Sequence, residues 1–463
     1  MKHRKISQFL AAIFFLSFLI ACDKDEQPVA TVSDSFESGS IGEVVSLGNN
    51  VWELSLADDN NNSELPDSWR SWWYVKMENL LPGVPAEITL KNSGWPYYYV
   101  PVYSYNQTDW LHFSEAEVTQ NDSSEVVLHK QFEQKSVWIA RFYPYTFTDL
   151  ENYLKTIKGN PNLEIQVPGY SQQGRSIYLL KITDPDVPNT TKKRVFIHAR
   201  THSAEVPPSF LIEGMVNFLL SGSTNAADIL SRFEFYIFPM QNVDGVVAGN
   251  YRSTPKSENL EMLWNYDSSN PLNLVTGTPP EVALIQQYAL KLMSDSGPAI
   301  SIALNLHASN SEPDICPFFF PHFGPESEGY SATEASLWDK QLNFVGSVAN
   351  TYGADMIEPI TGAGGSSFAT KTYPESWWWV NYKDQVMAMT FEMTYGRSGS
   401  SPRWIEPNDL RGLGKSLAFA IRDYYNEPTI SSSFMLKSEA YSRHATLKYP
   451  NLYPPFAADE MKE

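Results

Sequence analysis

Apolar residues are spaced in two different ways along the chain, and the change falls near residue 145. Between residues 41 and 144, short apolar and aromatic runs are separated by turn-forming residues. Short strands at this spacing are typical of an antiparallel β-sandwich domain. The strand-like runs are VWELSL, SWWYVKM, AEITL, PYYYVPVYSY, EVVLHKQF and SVWIARFY.

From residue 145 to residue 427, strand-like and helix-like segments alternate. The first helix is expected in TDLENYL, where Thr148 and Glu151 have the spacing of a capping box. Strand-like runs such as RVFIHA, AISIALNLHA and QVMAMTFEMT then alternate with helix-like segments such as PEVALIQQYALKLMS and DLRGLGKSLAFAIRDYY. This alternation predicts an α/β fold with helices on both faces of a sheet. Residues 428–463 have no clear period and receive no assignment.

The chain begins with a segment typical of targeting signals. Basic residues precede an apolar stretch from Phe9 to Ala21, which is too short to span a bilayer comfortably. The stretch ends in LIAC, which resembles a bacterial lipobox, so residues 1–22 are predicted to be a lipoprotein signal peptide with Cys22 as the lipidated residue. The acidic DKDE that follows resembles export signals of surface lipoproteins, and residues 23–40 are predicted to be a linker. We therefore expect a membrane-anchored lipoprotein of the cell envelope, in the outer membrane or at the cell surface; an uncleaved signal anchor is the alternative.

Composition and charge narrow the class of protein. The 463 residues are 42% hydrophobic and 14% aromatic, which fits a folded globular protein. The formal net charge of −19 argues against a nucleic-acid partner. Cys22 and Cys316 are the two cysteines, so lipidation of Cys22 would leave no intramolecular disulfide. Cys316 is expected to be a small buried apolar residue.

The segment HARTHSAEVPP contains the first candidate ligands for a metal. His202 and Glu205 lie where an apolar strand is expected to end and a helix to begin, which is where ligands bind in open α/β sheets. Zinc favours histidine nitrogen and carboxylate oxygen, and a catalytic zinc keeps one position open for water. The spacing alone is common, because HFSE repeats it at His112 and Glu115. That second pair has no further candidate ligand around it, and we interpret it as surface or strand polarity.

Two more candidates lie at the ends of apolar strands. His307 follows the apolar run of ALNLHASN, and Glu392 lies near the end of QVMAMTFEMTYG. Taken alone, His307 is compatible with a core histidine, and Glu392 with a structural carboxylate paired to Arg397. Burying a carboxylate is costly unless it is paired or linked to a metal. Together with the first two residues they fit a metal-assisted hydrolase, with three metal ligands and one general base.

At these motifs the chain resembles the M14 family of zinc carboxypeptidases, and most of all its cytosolic-carboxypeptidase branch. HARTHSAE, FPMQNVDGVVAGNYR, NLHASN and MTFEMTYG occur in the order of the family, and the resemblance covers about residues 45 to 425. It implies a carboxypeptidase-like mixed sheet after a β-sandwich, one Zn²⁺ per chain and a peptide or peptide-like substrate. The residues that it implies are His202, Glu205 and His307 as zinc ligands, Glu392 as general base, and Arg252 as the group that holds the substrate carbonyl and the oxyanion. A surface arginine is the alternative for Arg252.

The resemblance fails where the family holds the terminal carboxylate of its substrate. The family usually has D-L-N-R after GNYR, whereas this chain has NLEM, residues 259–262. Met262 therefore replaces the carboxylate-binding arginine, and the anion Glu261 stands beside it in the substrate-binding position. Asn259 replaces the aspartate that orients the first zinc histidine, but its amide oxygen can still accept a bond from His202.

Aromatic residues between the third ligand and the base raise a further question. The active-site tyrosine of the family is missing from its place before Gly-Gly-Ser, and Tyr373 is the nearby candidate to replace it. Trp377 to Trp379 form either a pocket wall or packing in the core or between domains.

These observations predict a zinc-dependent hydrolase that cleaves a peptide or amide bond and has an altered anchor for the terminal carboxylate. The alternative is a non-catalytic surface lipoprotein that binds peptide or glycan on the same fold. Contact with a membrane is expected through the lipid alone. The natural substrate and the oligomeric state stay open.

Overall fold

The structure is a computed structural model that describes residues 29–426, except 49, 97–98, 122–123, 268, 271 and 398–402. The predicted signal peptide with Cys22 and the unassigned segment 428–463 lie outside the described residues. Within the described part of the chain, no helix is long and apolar enough to cross a membrane.

The N-terminal part contains ten strands in two five-stranded sheets. In the first sheet the strand order is β1-β4-β10-β6-β7, and in the second it is β2-β3-β5-β9-β8. Neighbouring strands are antiparallel apart from β3 and β5, which are parallel. The strands are β1 (Thr31–Ser33), β2 (Val44–Gly48), β3 (Val51–Ser55), β4 (Tyr74–Glu78), β5 (Pro85–Lys91), β6 (Val102–Ser104), β7 (Trp110–His112), β8 (Val118–Gln120), β9 (Val126–Gln131) and β10 (Val137–Ala140).

Strand β1 corrects the linker that was predicted over residues 23–40. Thr31–Ser33 pair with Lys76–Glu78 of β4, so the sheet begins before residue 41. The polar composition of this segment concealed the strand, because β1 is short and lies at the edge of its sheet.

The C-terminal part is built on a seven-stranded mixed sheet with the order β11-β12-β14-β13-β15-β17-β16. Strands β14, β13, β15 and β17 are parallel, and the remaining pairs are antiparallel. Parallel neighbours place their C-terminal ends at one edge of the sheet, where ligands commonly bind. The strands are β11 (Leu163–Tyr170), β12 (Ser176–Ile182), β13 (Lys193–Ala199), β14 (Phe233–Phe238), β15 (Ile300–Ser309), β16 (Phe318–Phe320) and β17 (Met387–Thr394).

Eight α-helices accompany this sheet in the described residues, and the predicted α/β fold is confirmed. They are α1 (Phe147–Ile157), α2 (Pro207–Leu219), α3 (Thr224–Arg232), α4 (Val243–Ala248), α5 (Pro280–Ser294), α6 (Ala332–Tyr352), α7 (Pro374–Tyr382) and α8 (Pro407–Tyr424). The capping box of α1 is formed by Thr146 and Asp149, so the prediction of Thr148 and Glu151 was wrong by two residues. TFTD and TDLE both offer a hydroxyl three residues before a carboxylate, and the structure selects the first.

One hydrophobic core extends from the sandwich into the α/β part. Trp377 and Trp378 belong to this core, and Trp379 packs against a smaller cluster that contains Phe323. Packing is therefore the correct one of the two interpretations of these tryptophans. Cys316 is fully buried, as predicted.

Candidate metal centre and active site

The candidate residues converge at the C-terminal edge of three neighbouring parallel strands. His202 and Glu205 lie in the loop between β13 and α2, and His307 lies in β15. Glu392 of β17 is the direct backbone neighbour of His307 across the sheet. The fold therefore brings together four residues that are far apart in sequence.

Arg200 fixes the loop that carries the first two candidates. Its backbone is in the left-handed region, with φ of 59°, and its side chain is buried. The guanidinium donates hydrogen bonds to Ser203 O at 2.9 Å, Ser209 Oγ at 2.7 Å and Tyr145 O at 3.1 Å. These bonds join the two ends of the loop, so the positions of His202 and Glu205 are set by buried contacts.

The donor atoms of His202, Glu205 and His307 face one another. Glu205 Oε1 is 2.8 Å from His202 Nδ1, Glu205 Oε2 is 2.8 Å from His307 Nδ1, and the two Nδ1 atoms are 3.1 Å apart. Ligand atoms bound to a tetrahedral zinc at about 2.1 Å lie roughly 3.4 Å apart. Outward movement of a few tenths of an ångström would therefore suit the three side chains to one zinc ion.

The charges around these atoms also favour a cation. Burial opposes ionisation of Glu205, but the imidazoles of His202 and His307 hold its pKa well below the usual range. Burial likewise lowers the pKa of His307, but the carboxylates of Glu261 and Glu205 raise it well above the usual value. A divalent cation held between these carboxylates and imidazoles would compensate the same negative charge.

The outer nitrogen of each histidine ring faces a second polar residue. His202 Nε2 is 3.1 Å from Asn259 Oδ1, which is the contact that the sequence allowed. His307 Nε2 is 3.2 Å from Glu261 Oε2. His202, Glu261 and His307 also place one possible ligand atom each within 4.8 Å of one another. This second set is looser than the set with Glu205, in which no donor distance exceeds 3.1 Å.

Glu392 is a carboxylate that lies beside His307 on the neighbouring strand. Its Oε2 atom is buried and has no hydrogen-bond partner among the described residues. Burial raises the pKa of Glu392 to about 8. The alternative pairing with Arg397 is not observed, since Arg397 binds Asp314 at 2.8 Å and Glu115 at 2.9 Å.

Arg252 faces the metal site from a segment that the sandwich holds in place. Its Nη1 atom is 3.8 Å from Glu205 Oε1. The carboxylate of Asp59 accepts hydrogen bonds from the backbone N–H groups of Tyr251 at 2.6 Å, Arg252 at 2.9 Å and Ser253 at 2.7 Å. Asp59 precedes this segment by about 190 residues, and the sequence pattern around it indicated a turn and nothing more.

The residues at the altered anchor position have different surroundings. The side chain of Met262 is 37% exposed, whereas Glu261 Oε1 accepts a hydrogen bond from Asn305 Nδ2 at 2.9 Å. Glu261 therefore contacts the strand and the third ligand, and the structure gives it no contact that identifies a substrate role. Tyr373 lies at the N-cap of α7, where it interacts electrostatically with Glu261 and Arg252.

Glu375 is a second buried carboxylate that sequence reasoning missed. Its Oε1 atom accepts a hydrogen bond from Thr390 Oγ1 at 2.7 Å, and burial, followed by repulsion from Glu261, raises its pKa to about 7. The signal in the sequence was weak, because PESWWWVNY resembles core packing more than a polar site.

Comparison with known proteins agrees with this geometry. Residues 150–277 match the model of the zinc carboxypeptidases of the M14 family, and residues 32–142 match the cytosolic carboxypeptidase N-terminal domain. Cytosolic carboxypeptidase 2 of Mus musculus is 30% identical over 249 residues, which are 47% of this chain and 28% of the relative. Cytosolic carboxypeptidase 6 of Caenorhabditis elegans is 26% identical over 329 residues, 66% of this chain and 67% of the relative.

Solved structures share the fold at low sequence identity. A metallo-carboxypeptidase from Burkholderia cenocepacia is similar with a TM-score of 0.70 and 21% identity, over 86% of this chain and 99% of that one. A metallo-carboxypeptidase from Pseudomonas aeruginosa, in complex with (2-guanidinoethylmercapto)succinic acid, has a TM-score of 0.69 and 20% identity, over 86% and 99% of the two chains. These likenesses support a carboxypeptidase-like fold.

The mixed sheet and the histidine and carboxylate donors at its edge define a metallopeptidase-like α/β protein with a β-rich domain in front. Through these two matching segments, the chain is similar to the zinc carboxypeptidases of the M14 family. The chain spans less than 30% of the length of cytosolic carboxypeptidase 2 from Mus musculus, Homo sapiens and Xenopus tropicalis, so these likenesses do not by themselves determine its activity.

Proposed function

We propose that the protein is a zinc-dependent hydrolase of the metallocarboxypeptidase type, which cleaves a peptide or amide bond. The observation that carries the proposal is the convergence of His202, Glu205 and His307, whose facing donor atoms lie 2.8–3.1 Å apart. Two nitrogen donors and a carboxylate are a usual set for a catalytic zinc.

Each residue of the site has a chemical task in this proposal. A bound zinc would lower the pKa of a water molecule and polarise the carbonyl group of the substrate. Glu392 accepts the proton of the attacking water and passes it to the leaving amine, because its carboxylate lies beside the ligands without a fixed partner. The guanidinium of Arg252 stabilises negative charge on the carbonyl oxygen.

The substrate is proposed to differ from an ordinary peptide with a free C-terminal carboxylate. A bidentate arginine provides both energy and alignment for such a carboxylate. Here Met262 offers neither a charge nor a donor, and Glu261 is an anion close by. Arg397 already pairs with Asp314 and Glu115, and Arg403 pairs with Asp409, so both nearby arginines have carboxylates to neutralise. A blocked end or a cationic group suits this site better.

The test compares one peptide in its free-acid and amidated forms at equal zinc loading. We expect the amide, or a peptide that ends in a diamino acid, to be cleaved at least as fast as the free acid. Cleavage of the free acid that is tenfold faster would refute the altered anchor and restore an ordinary carboxypeptidase. Hydrolysis of none of the free, blocked or cell-wall peptides by the zinc-loaded protein would refute the hydrolase itself.

A non-catalytic binding role is the less favoured alternative. A binding module has no need of three converging metal ligands or of an unpartnered carboxylate beside them. Binding of glycan or peptide by a purified protein that contains no zinc would support it.

We also propose that the protein is held at a cell-envelope membrane by a lipid on Cys22. The support comes from the sequence alone, in the apolar stretch that ends in LIAC and the acidic residues that follow.

A further inference from the structure

His307 faces one carboxylate with each nitrogen of its ring. Nδ1 is 2.8 Å from Glu205 Oε2, and Nε2 is 3.2 Å from Glu261 Oε2. Both atoms of the second contact are buried, and neither makes a hydrogen bond to a described residue, so the contact between them is a close charge pair. Burying polar atoms without hydrogen bonds is costly, and the attraction between the imidazole and the carboxylate offsets part of that cost.

The carboxylate of Glu261 is held in this position by the same strand that carries His307. Asn305, two residues before His307 in β15, donates from Nδ2 to Glu261 Oε1 at 2.9 Å. The backbone N–H of Glu261 donates to Asn259 Oδ1 at 3.1 Å, which fixes the turn that contains it. Glu261 is therefore tied to the third ligand, with 12% of its side chain exposed.

The two histidines differ in the residue that contacts Nε2, the ring nitrogen on the side away from Glu205. His202 Nε2 faces the neutral amide of Asn259 at 3.1 Å, whereas His307 Nε2 faces a carboxylate. Histidines that bind a metal commonly donate their second N–H group to a carboxylate, which orients the ring and makes the other nitrogen a stronger ligand. In this chain the carboxylate stands behind the histidine of β15, and the amide stands behind the histidine of the loop.

We infer that Glu261 is a positioning residue of the metal site, which holds the His307 ring through Nε2 so that Nδ1 is presented to the zinc. A direct ligand role is disfavoured because Glu261 faces the nitrogen that points away from Glu205 and His202. One ion cannot bind both nitrogens of a single ring. The inference depends on the proposed function in one respect, which is the presence of zinc at this site.

The test measures the zinc affinity of the full chain by competition with a chromophoric chelator. Glu261→Gln keeps the size of the side chain but removes its charge, and we expect an affinity lower by about 10- to 100-fold. Glu281→Gln is the matched control, because Glu281 of α5 is also buried and accepts a hydrogen bond from the backbone N–H of Gln172, in the turn between β11 and β12. Its zinc affinity should stay within about threefold of the unmodified protein.

A rescue separates positioning from a general structural role. Asn259→Asp supplies a carboxylate to His202. The double variant with Glu261→Gln and Asn259→Asp should bind zinc at least about fivefold more tightly than Glu261→Gln alone. A loss caused by local unfolding would not be recovered by a charge at residue 259. If Glu261→Gln lowers the melting temperature of the metal-free protein by several degrees, Glu261→Asp is used in its place. The zinc affinity of Glu261→Asp is expected to lie between those of Glu261→Gln and the unmodified protein.

Five results would overturn the inference. The first is an unchanged zinc affinity in Glu261→Gln. The second is an equal loss of affinity in Glu281→Gln, and the third is a failure of Asn259→Asp to recover affinity. Retention of zinc by Glu205→Gln, with loss in Glu261→Gln, would make Glu261 a ligand instead. If the unmodified protein binds no zinc, the proposed function and this inference both fail. Normal zinc binding without hydrolysis of any peptide would refute the function alone.

Discussion

His307 links two carboxylates of the candidate metal site, since it contacts Glu205 through one ring nitrogen and Glu261 through the other. We predict that His307→Ala abolishes the binding of zinc, because two remaining ligands hold the ion poorly. Metal analysis of the dialysed protein measures this directly. His112→Ala is the control, since His112 belongs to the similar motif HFSE but contacts the carbonyl of Val100. Zinc retained by His307→Ala would show that the site is assigned wrongly.

Glu392 is expected to affect turnover without affecting the metal. Glu392→Gln preserves the shape of the side chain but cannot accept a proton, so the rate should fall by about two to four decades. Zinc content and melting temperature should stay unchanged. Glu358→Gln, at a half-buried carboxylate that accepts a hydrogen bond from Cys316 N, should keep its turnover. Near-normal hydrolysis by Glu392→Gln would exclude Glu392 as the base.

At the residue scale, the sequence indicates which residues are candidates for the site, but it does not indicate which contacts they make. His202, Glu205, His307 and Glu392 could be selected because each follows an apolar run that becomes a strand of the sheet. Glu261 could be recognised as a departure from the family, but its contact with His307 depends on the path of a turn. No local pattern encodes that path.

At the scale of elements, the segment that carries Arg252 is held by a turn of the other domain. Asp59 accepts three consecutive backbone N–H groups, and hydrogen bonds to a charged group each contribute about 1.5–3 kcal/mol. We predict that Asp59→Asn speeds amide hydrogen exchange of residues 251–253 by tenfold or more and slows turnover through Arg252. Exchange followed by mass spectrometry measures the first effect.

Asp58→Asn is the control for that experiment. Asp58 precedes Asp59, but it is more exposed and pairs with Arg70 at 2.9 Å. Its substitution should leave exchange at residues 251–253 unchanged. Equal exchange in the two variants would mean that Asp59 does not hold the segment.

Elements with a regular apolar pattern were predicted well, and those without one were missed. Helix α5 occupies Pro280–Ser294, the segment that its pattern indicated. Strand β11 was not recognised, because Pro168 and Gly169 lie inside it and its pairing with β12 is irregular there. Helix α7 was missed because its first five residues are all buried, so no polar face marks the helical period.

At the scale of the whole molecule, the open question is attachment to a membrane. We predict that Cys22 carries acyl chains in the native host and that the mature protein begins there. Mass spectrometry of the N-terminal peptide and fractionation of the cell envelope test this. Cys22→Ser should release the protein from the membrane fraction. A native protein without acyl chains would refute the prediction.

The hydrogen bonds between Asp59 and the backbone of residues 251–253 have a consequence for how the two domains can be recombined between genes. A gene that gained the α/β domain without the sandwich would encode the ligands and the base, but the arginine segment would lack its support. Exchange of sandwiches between relatives should therefore succeed where the incoming domain brings an acceptor at the position of Asp59. The boundary near residue 145 divides two folds, but the acceptor that supports the arginine segment lies on the other side of that boundary.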